Sequence, residues 1–230
     1  MKIDFKGSHF PKEVIIFSIY CYARFALSFR DIEELLQMRG ANVDHATIQR
    51  WVVRYGSKFA ENAKKRRTQI HSKWHLDETY VTVKGEHCYL YRAIDNEGQT
   101  VDFMLSEHRD ETAATAFFMK IIDSANLIPD IVFMDKSGAN ETALVNINLL
   151  LFMAGWCHFN LIRMCQIKRN NNRIEQDHRF IKRITKPMMG FKAFHSACAI
   201  IDTIETVHMI RKGQIKGDLL PLQKFMLLAA

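Results

Sequence analysis

Trp74-His75-Leu76-Asp77-Glu78-Thr79-Tyr80-Val81-Thr82-Val83 is the stretch on which the fold turns. Upstream of it, apolar residues recur at helical spacing. Here β-branched and aromatic residues follow one another, which predicts an extended strand. Asp77 lies in the middle of that strand. An ionised aspartate between apolar neighbours is unfavourable unless it is paired or binds a metal, so one position bears on both architecture and chemistry.

Working outward toward the C-terminus, residues 86–98 read as a turn, a strand over 88–94 and a second turn at Asp95-Asn96-Glu97-Gly98. Residues 100–105 predict a third strand, and the three together an antiparallel meander. A helix is predicted over 111–125, with Ala114, Phe117, Phe118, Ile121 and Ile122 along one face, and Pro129 breaks it. Ile131-Val132-Phe133-Met134 is a short, continuous apolar run of the buried-strand kind, ending at Asp135. A helix near 141–154, a strand around 161–167, a strongly basic helix from about Asn172 and a last helix over 191–211 complete the series. Pro187 ends or kinks the basic helix. Three antiparallel strands, a helix, a central strand and alternating elements afterwards are the order of the ribonuclease-H-like fold. The predicted class is therefore α/β, a mixed sheet with helices.

Working outward toward the N-terminus, Pro11 stands where a helix would start, and Val14, Ile15, Ile19 and Tyr22 recur at helical spacing. Ser28-Phe29-Arg30-Asp31 predicts a capping box. The helix it opens turns Ile32, Leu35 and Leu36 inward and stops at Gly40. Asp44 can cap the next, in which Ile48, Trp51, Val52 and Tyr55 form an apolar stripe. Two short helices around a glycine-containing turn fit a helix-turn-helix, and fit an ordinary helical hairpin equally well. In the first case His45, Thr47, Gln49, Arg50 and Arg54 are placed to meet bases or phosphates. The expected division is a small all-α helix-turn-helix region over residues 1–63, a basic linker over 64–72 containing Lys64-Lys65-Arg66-Arg67, a catalytic domain over 73–213 and a tail over 214–230.

The chain has 230 residues, 48% of them hydrophobic, and a formal charge of +7. That is enough for a sizeable core, and it points to an anionic partner, nucleic acid first. Five scattered cysteines with no CxxC pair argue against a zinc ribbon or a disulfide framework and fit a reducing cytoplasm. The most apolar stretch, residues 143–165, is interrupted by Asn146, Asn148, His158, Asn160 and Arg163, so it reads as a core helix followed by a strand, not a membrane span. Neither a membrane partner nor a secretory leader is expected.

Phosphodiester chemistry needs a way to activate water or a 3′ hydroxyl and to stabilise a leaving oxyanion. Two Mg²⁺ ions about 4 Å apart do both, held by hard oxygen ligands. Asp77 is the first candidate. Asp135 is the second: a carboxylate ending a buried strand either serves a site or caps the next element. Glu175, in Asn171-Asn172-Arg173-Ile174-Glu175-Gln176-Asp177-His178-Arg179, is the third, though alone it could be a first-turn acid favoured by the helix dipole. Glu175, Arg179 and Lys182 stand at i, i+4 and i+7 and so share one helix face. Residues 163–186 carry eight basic side chains against two acidic ones, which concentrates the positive charge around the third candidate.

At these residues the chain resembles a known family. Phe5-Lys6-Gly7 with His9-Phe10-Pro11, the 74–80 block, Asp135-Lys136-Ser137-Gly138-Ala139-Asn140 and residues 171–182 are similar to bacterial insertion-sequence transposases of the DDE type, in the family numbered six. The resemblance runs from about residue 5 to residue 213. It implies a ribonuclease-H-like catalytic domain and an N-terminal helix-turn-helix that binds terminal inverted repeats. It also implies Mg²⁺-dependent strand transfer (Mn²⁺ able to substitute) by a homo-oligomer acting on double-stranded DNA at transposon ends and target, through replicative cointegrates. Asp77, Asp135 and Glu175 map onto the catalytic, metal-holding acids. Lys182 maps onto a basic residue near the DNA; Arg179, on the same helix face, is expected to hold phosphates with it, and Arg50 and Arg54 are expected to dock on the terminal repeat. Thirty-nine residues separate Asp135 from Glu175, a longer interval than the resemblance implies. A decayed copy that only binds DNA, and a nuclease that cuts without joining, are the alternative readings.

Overall fold

The computed structural model describes residues 2–155 and 161–230. The chain divides into two compact units. One holds the residues up to Thr68 together with Phe180–Ala230; the other is Gln69–Arg179.

The first unit is helical: α1 (Lys12–Arg24), α2 (Phe29–Gln37), α3 (His45–Arg66), α7 (Phe194–Arg211) and α8 (Pro221–Leu227), with a 3₁₀ turn at Lys186–Met188. The predicted starts are present. Pro11 precedes α1, Ser28 and Asp31 close the capping box of α2, and the Asp44 carboxylate accepts from the Thr47 N–H at the start of α3. Ile15, Ile19, Ile32, Ile48, Trp51, Val52 and Tyr55 are buried. Leu35, expected inward, is 41% exposed, because the inward arc of this short helix is filled by Ile32 and Leu36. The longest seam joins α3 to α7 at Gly56. A Cβ there would stand 2.3 Å from the Ala199 carbonyl oxygen and 2.4 Å from Thr203 Oγ1, so only glycine lets the two helices close.

Residues 64–66 form the last turn of α3, not a linker. The apolar stripe continues through Phe59, Ala60 and Ala63, and cations are favoured at a helix C-terminus. Arg66 also donates to the carbonyls of Leu227 and Ala230. The segment expected as a tail forms α8, whose buried Phe225 stacks on Phe59 with ring centroids 4.3 Å apart. Packing thus groups residues 180–230 with the N-terminal helices, where the sequence predicts one domain over 73–213.

The second unit is built on β1 (Lys73–Val83), β2 (Glu86–Asp95) and β3 (Thr100–Ser106), an antiparallel meander, with β4 (Ile131–Phe133) and β5 (Arg163–Cys165) added parallel to β1. Lys84 and Gly85, both at positive φ, close the first hairpin, as a two-residue loop requires. The sheet order is β3-β2-β1-β4-β5. Helix α4 (Glu111–Ala125) connects β3 to β4, and α5 (Gly138–Met153) connects β4 to β5. This order, with these directions, is the ribonuclease-H-like fold. One sheet face carries Trp74, Leu76, Tyr91 and Val132 into a core with Phe117, Phe118, Ile121, Leu144 and Ile147. By the two-residue alternation of a strand, His75, Asp77 and Thr79 point to the opposite face. There α6 (Lys168–Thr185), which begins a turn earlier than expected, meets the sheet through Asn171, Asp177 and His178.

Helix α5 buries Ala143, Leu144 and Ile147 but leaves Val145, Leu149, Leu150, Phe152 and Met153 exposed, so it is a core helix on one side only. Residues 156–160, which include Cys157 and fall within the long interval between Asp135 and Glu175, lie outside the described residues. Among the described residues, no helix is long and apolar enough to cross a membrane.

Candidate active site

The site begins with strand register. Strands β1 and β4 run parallel, pairing Trp74 with Val132 and His75 with Phe133, and the last two rings stack at 4.6 Å. Continued by two residues, the same register sets Asp135 beside Asp77. Asp77, Glu78 and Asp135 each bring a carboxylate oxygen into a group no wider than 4.8 Å. This is a set of hard oxygen donors of the kind that holds Mg²⁺ or Mn²⁺.

Asp77 is largely buried, and its carboxyl is pushed up to about 7, first by burial and then by the charges of Glu78 and Asp135. Burial and these neighbouring charges disfavour the ionised form of Asp77, and a divalent cation relieves both effects. His178 Nδ1 stands 3.5 Å from Asp77 and does not offset the burial. Asp135 is exposed at the strand end, where a ligand can reach it.

Glu175 lies on α6 and is exposed. It does not belong to the close acidic group, although its charge is near enough to contribute to raising Asp77. Several contacts hold the helix that carries it. Arg92, paired directly with Asp77 in the β1–β2 register, sends its guanidinium to Asp177 at 2.7 Å, and both are buried or nearly so. Asn171 donates to the Leu76 carbonyl, and Arg173 donates to that of Asn96. Arg179 and Lys182, one and two turns beyond Glu175, are exposed, as are Arg50 and Arg54 on α3. Arg50 leans on Thr47, and Arg54 lies over the Tyr55 ring. His45 pairs with Glu33 of α2 at 2.9 Å, which ties α2 to α3.

Three residues of the site carried no role in the sequence reading. Glu78 is the strand neighbour of Asp77 but points to the other face. Asn140, on the first turn of α5, donates to Glu78 Oε1 at 2.5 Å, and Arg109, before α4, donates to Oε2 at 3.1 Å. Arg109 also approaches Asp135 to 3.7 Å. The signal for Glu78 and Asn140 was their place inside the two acidic blocks. Arg109 had none.

A family model described as a DDE domain matches residues 71–214, and one described as the Transposase IS66 family matches residues 11–130. The transposase for insertion sequence element IS257 in transposon Tn4003 of Staphylococcus aureus is 37% identical over 209 residues, covering 90% of this chain and 88% of the relative. The chain belongs to the DDE transposases of insertion sequences. Its place is in the family numbered six, beside the S. aureus strain Mu50 transposase for insertion sequence-like element IS431mec, 36% identical over the same span. It is an enzyme of the transposase class. The HTLV-2 integrase catalytic core domain in complex with magnesium, dimeric form, covers 65% of this chain and 99% of its own, at 15% identity and a TM-score of 0.46. The strand order β3-β2-β1-β4-β5 by itself identifies the fold.

Proposed function

We propose that this chain binds the terminal inverted repeats of its insertion sequence and cuts and joins DNA strands with two divalent ions, Mg²⁺ or Mn²⁺, held by Asp77, Asp135 and Glu175. The observation that carries the reading is the pair of carboxylates that adjacent parallel strands deliver side by side, one largely buried and one open to solvent. Bound there, the ions would activate water, and later the freed 3′ hydroxyl, and would neutralise the departing oxyanion. Asp77, with both burial and like charge against its ionised form, gains most from a cation. Asp135 offers the outward edge, and Glu175 closes the site from α6.

Arg179 and Lys182 follow Glu175 along that helix and hold backbone phosphates in register. Arg50 and Arg54, exposed on α3 behind a capped, glycine-containing turn, dock on the terminal repeat. The 37% identity to a transposase over nearly the whole chain supports joining as well as cutting, and the family supports a homo-oligomer and a replicative, cointegrate-forming route.

A binding-only reading draws on one observation, the position of Glu175 outside the close acidic group. One assay separates the two. Purified protein is mixed with a labelled duplex from the end of the host element and a plasmid target, in Mg²⁺, in Mn²⁺ or in EDTA. Metal-dependent nicked and joined products are expected. Nicks without joints would make the chain a nuclease, and binding without either product would make it a DNA-binding protein.

A further inference from the structure

We infer that Glu78 is not a metal ligand but the anchor of a phosphate-holding arginine, Arg109. The inference rests on the metal-dependent reading above and concerns which groups near the acids face the DNA. Glu78 belongs to the same 4.8 Å group as Asp77 and Asp135 and by proximity alone would pass for a third ligand. Its oxygens are already engaged, however. Asn140 Nδ2, on a side chain only 4% exposed, donates to Oε1 at 2.5 Å, and Arg109 Nη2 donates to Oε2 at 3.1 Å. The Glu78 side chain is itself 5% exposed. A carboxylate enclosed this way has its charge neutralised and its orientation fixed by protein donors.

Arg109 is placed differently. Its side chain is 44% exposed, and the same nitrogen that binds Glu78 comes within 3.7 Å of Asp135. A guanidinium has five N–H donors in a rigid plane, and Glu78 engages only one edge of it. When Asp135 gives its charge to a metal ion, Arg109 loses its weaker partner and keeps its stronger one. Its outer edge then presents donors at the rim of an acidic site that must admit a phosphodiester. The arrangement settles a conflict in the site: three carboxylates repel DNA, while a free arginine would compete with metal for Asp135. Holding the arginine on Glu78 keeps one cation at the rim without surrendering Asp135.

The test uses the full chain, with Arg109→Gln, Arg109→Lys and Glu78→Gln. Divalent-ion binding is titrated calorimetrically. Binding to the end duplex is followed against salt in Ca²⁺, which fills carboxylate sites, and joined product is measured in Mg²⁺. Arg109→Gln is expected to bind metal as tightly as the parent or severalfold more tightly. It should lower the slope of log K against log salt by about 0.9, the value for one phosphate contact, and cut joined product on the order of tenfold to a hundredfold. Arg109→Lys restores the slope but only part of the product, because an ammonium lacks the planar fork. Glu78→Gln retains metal and follows Arg109→Gln in the other readouts. Loss of metal binding in Glu78→Gln would make Glu78 a ligand and overturn the inference, as would an unchanged salt slope in a folded Arg109→Gln. If the parent chain joins no DNA, the wider reading fails, while metal titration and salt slope still decide the role of Arg109.

Discussion

Asp77 and Asp135 stand side by side because β1 and β4 share a parallel register that pairs His75 with Phe133 two residues earlier. The two acids are far apart in sequence and come from strands with different surroundings. The buried one, Asp77, has its carboxyl raised to about 7, and the exposed one contributes to that rise. Burial and like charge held this close disfavour the ionised form of Asp77.

That imbalance predicts a pH-dependent stability. The folded chain keeps the Asp77 proton up to about pH 7, whereas an unfolded aspartate loses it near pH 4. Between those values the folded state binds more protons, so this group's contribution falls as pH rises through the window. Asp77→Asn should therefore stabilise the metal-free protein at pH 7.5 by on the order of 1–3 kcal/mol, with the gain shrinking toward pH 4. Urea unfolding in EDTA at several pH values measures it. An equal effect at every pH would place the strain elsewhere.

The Arg92–Asp177 pair predicts a different response. It is short, buried on the arginine side and almost buried on the other. Removing the carboxylate takes a charge-assisted hydrogen bond from a buried guanidinium, so Asp177→Ala should cost about 1.5–3 kcal/mol. Replacing both with apolar residues of similar volume should cost much less. Chemical denaturation of the two single variants and the double variant checks this, and additive losses would show that the pair is not coupled.

The seam between α3 and α7 is equally specific. Gly56→Ala must push against a main-chain oxygen and Thr203 Oγ1, both under 2.5 Å from the added carbon, and should destabilise the helical unit by about 1–3 kcal/mol. Thermal unfolding monitored by helical circular dichroism would record a lowered Tm. An unchanged Tm would mean the helices separate at little cost.

On the DNA side, replacing Arg50 and Arg54 together by alanine should weaken binding to the end duplex and flatten its salt dependence by about 0.9 per lost phosphate contact. Metal binding at the acids should not change. Fluorescence anisotropy over a salt series tests the first point and calorimetry the second.

Much of this was legible before any coordinates. The strands at 73–83 and 131–133 follow from composition, and the caps at Ser28 and Asp44 follow from short-range hydrogen-bond chemistry that needs no tertiary context. What the sequence hid depends on long-range packing. Lys64 to Arg66 look like a solvated linker until Phe59 and Ala63 are seen to carry the helix on. Residues 214–230 look like a tail until Phe225 finds Phe59. The partition of the chain at residue 180 is invisible because α6 runs straight through it. Asp77 and Asp135 could be picked out as acids in or ending apolar strands. Arg109 could not, because its significance lies in two carboxylates from other elements.

The most direct test of the central claim is strand transfer by Glu175→Gln, alongside Asp77→Asn and Asp135→Asn, on a labelled element end in Mg²⁺ and Mn²⁺. Glu175 is the member that the geometry leaves outside the close acidic group, so its variant discriminates best. The account predicts loss of joined product by a hundredfold or more, on the order of the loss of a key catalytic group, with end binding retained. Joined product at the parent level from Glu175→Gln would contradict it and leave the metal site to Asp77 and Asp135 with some other ligand.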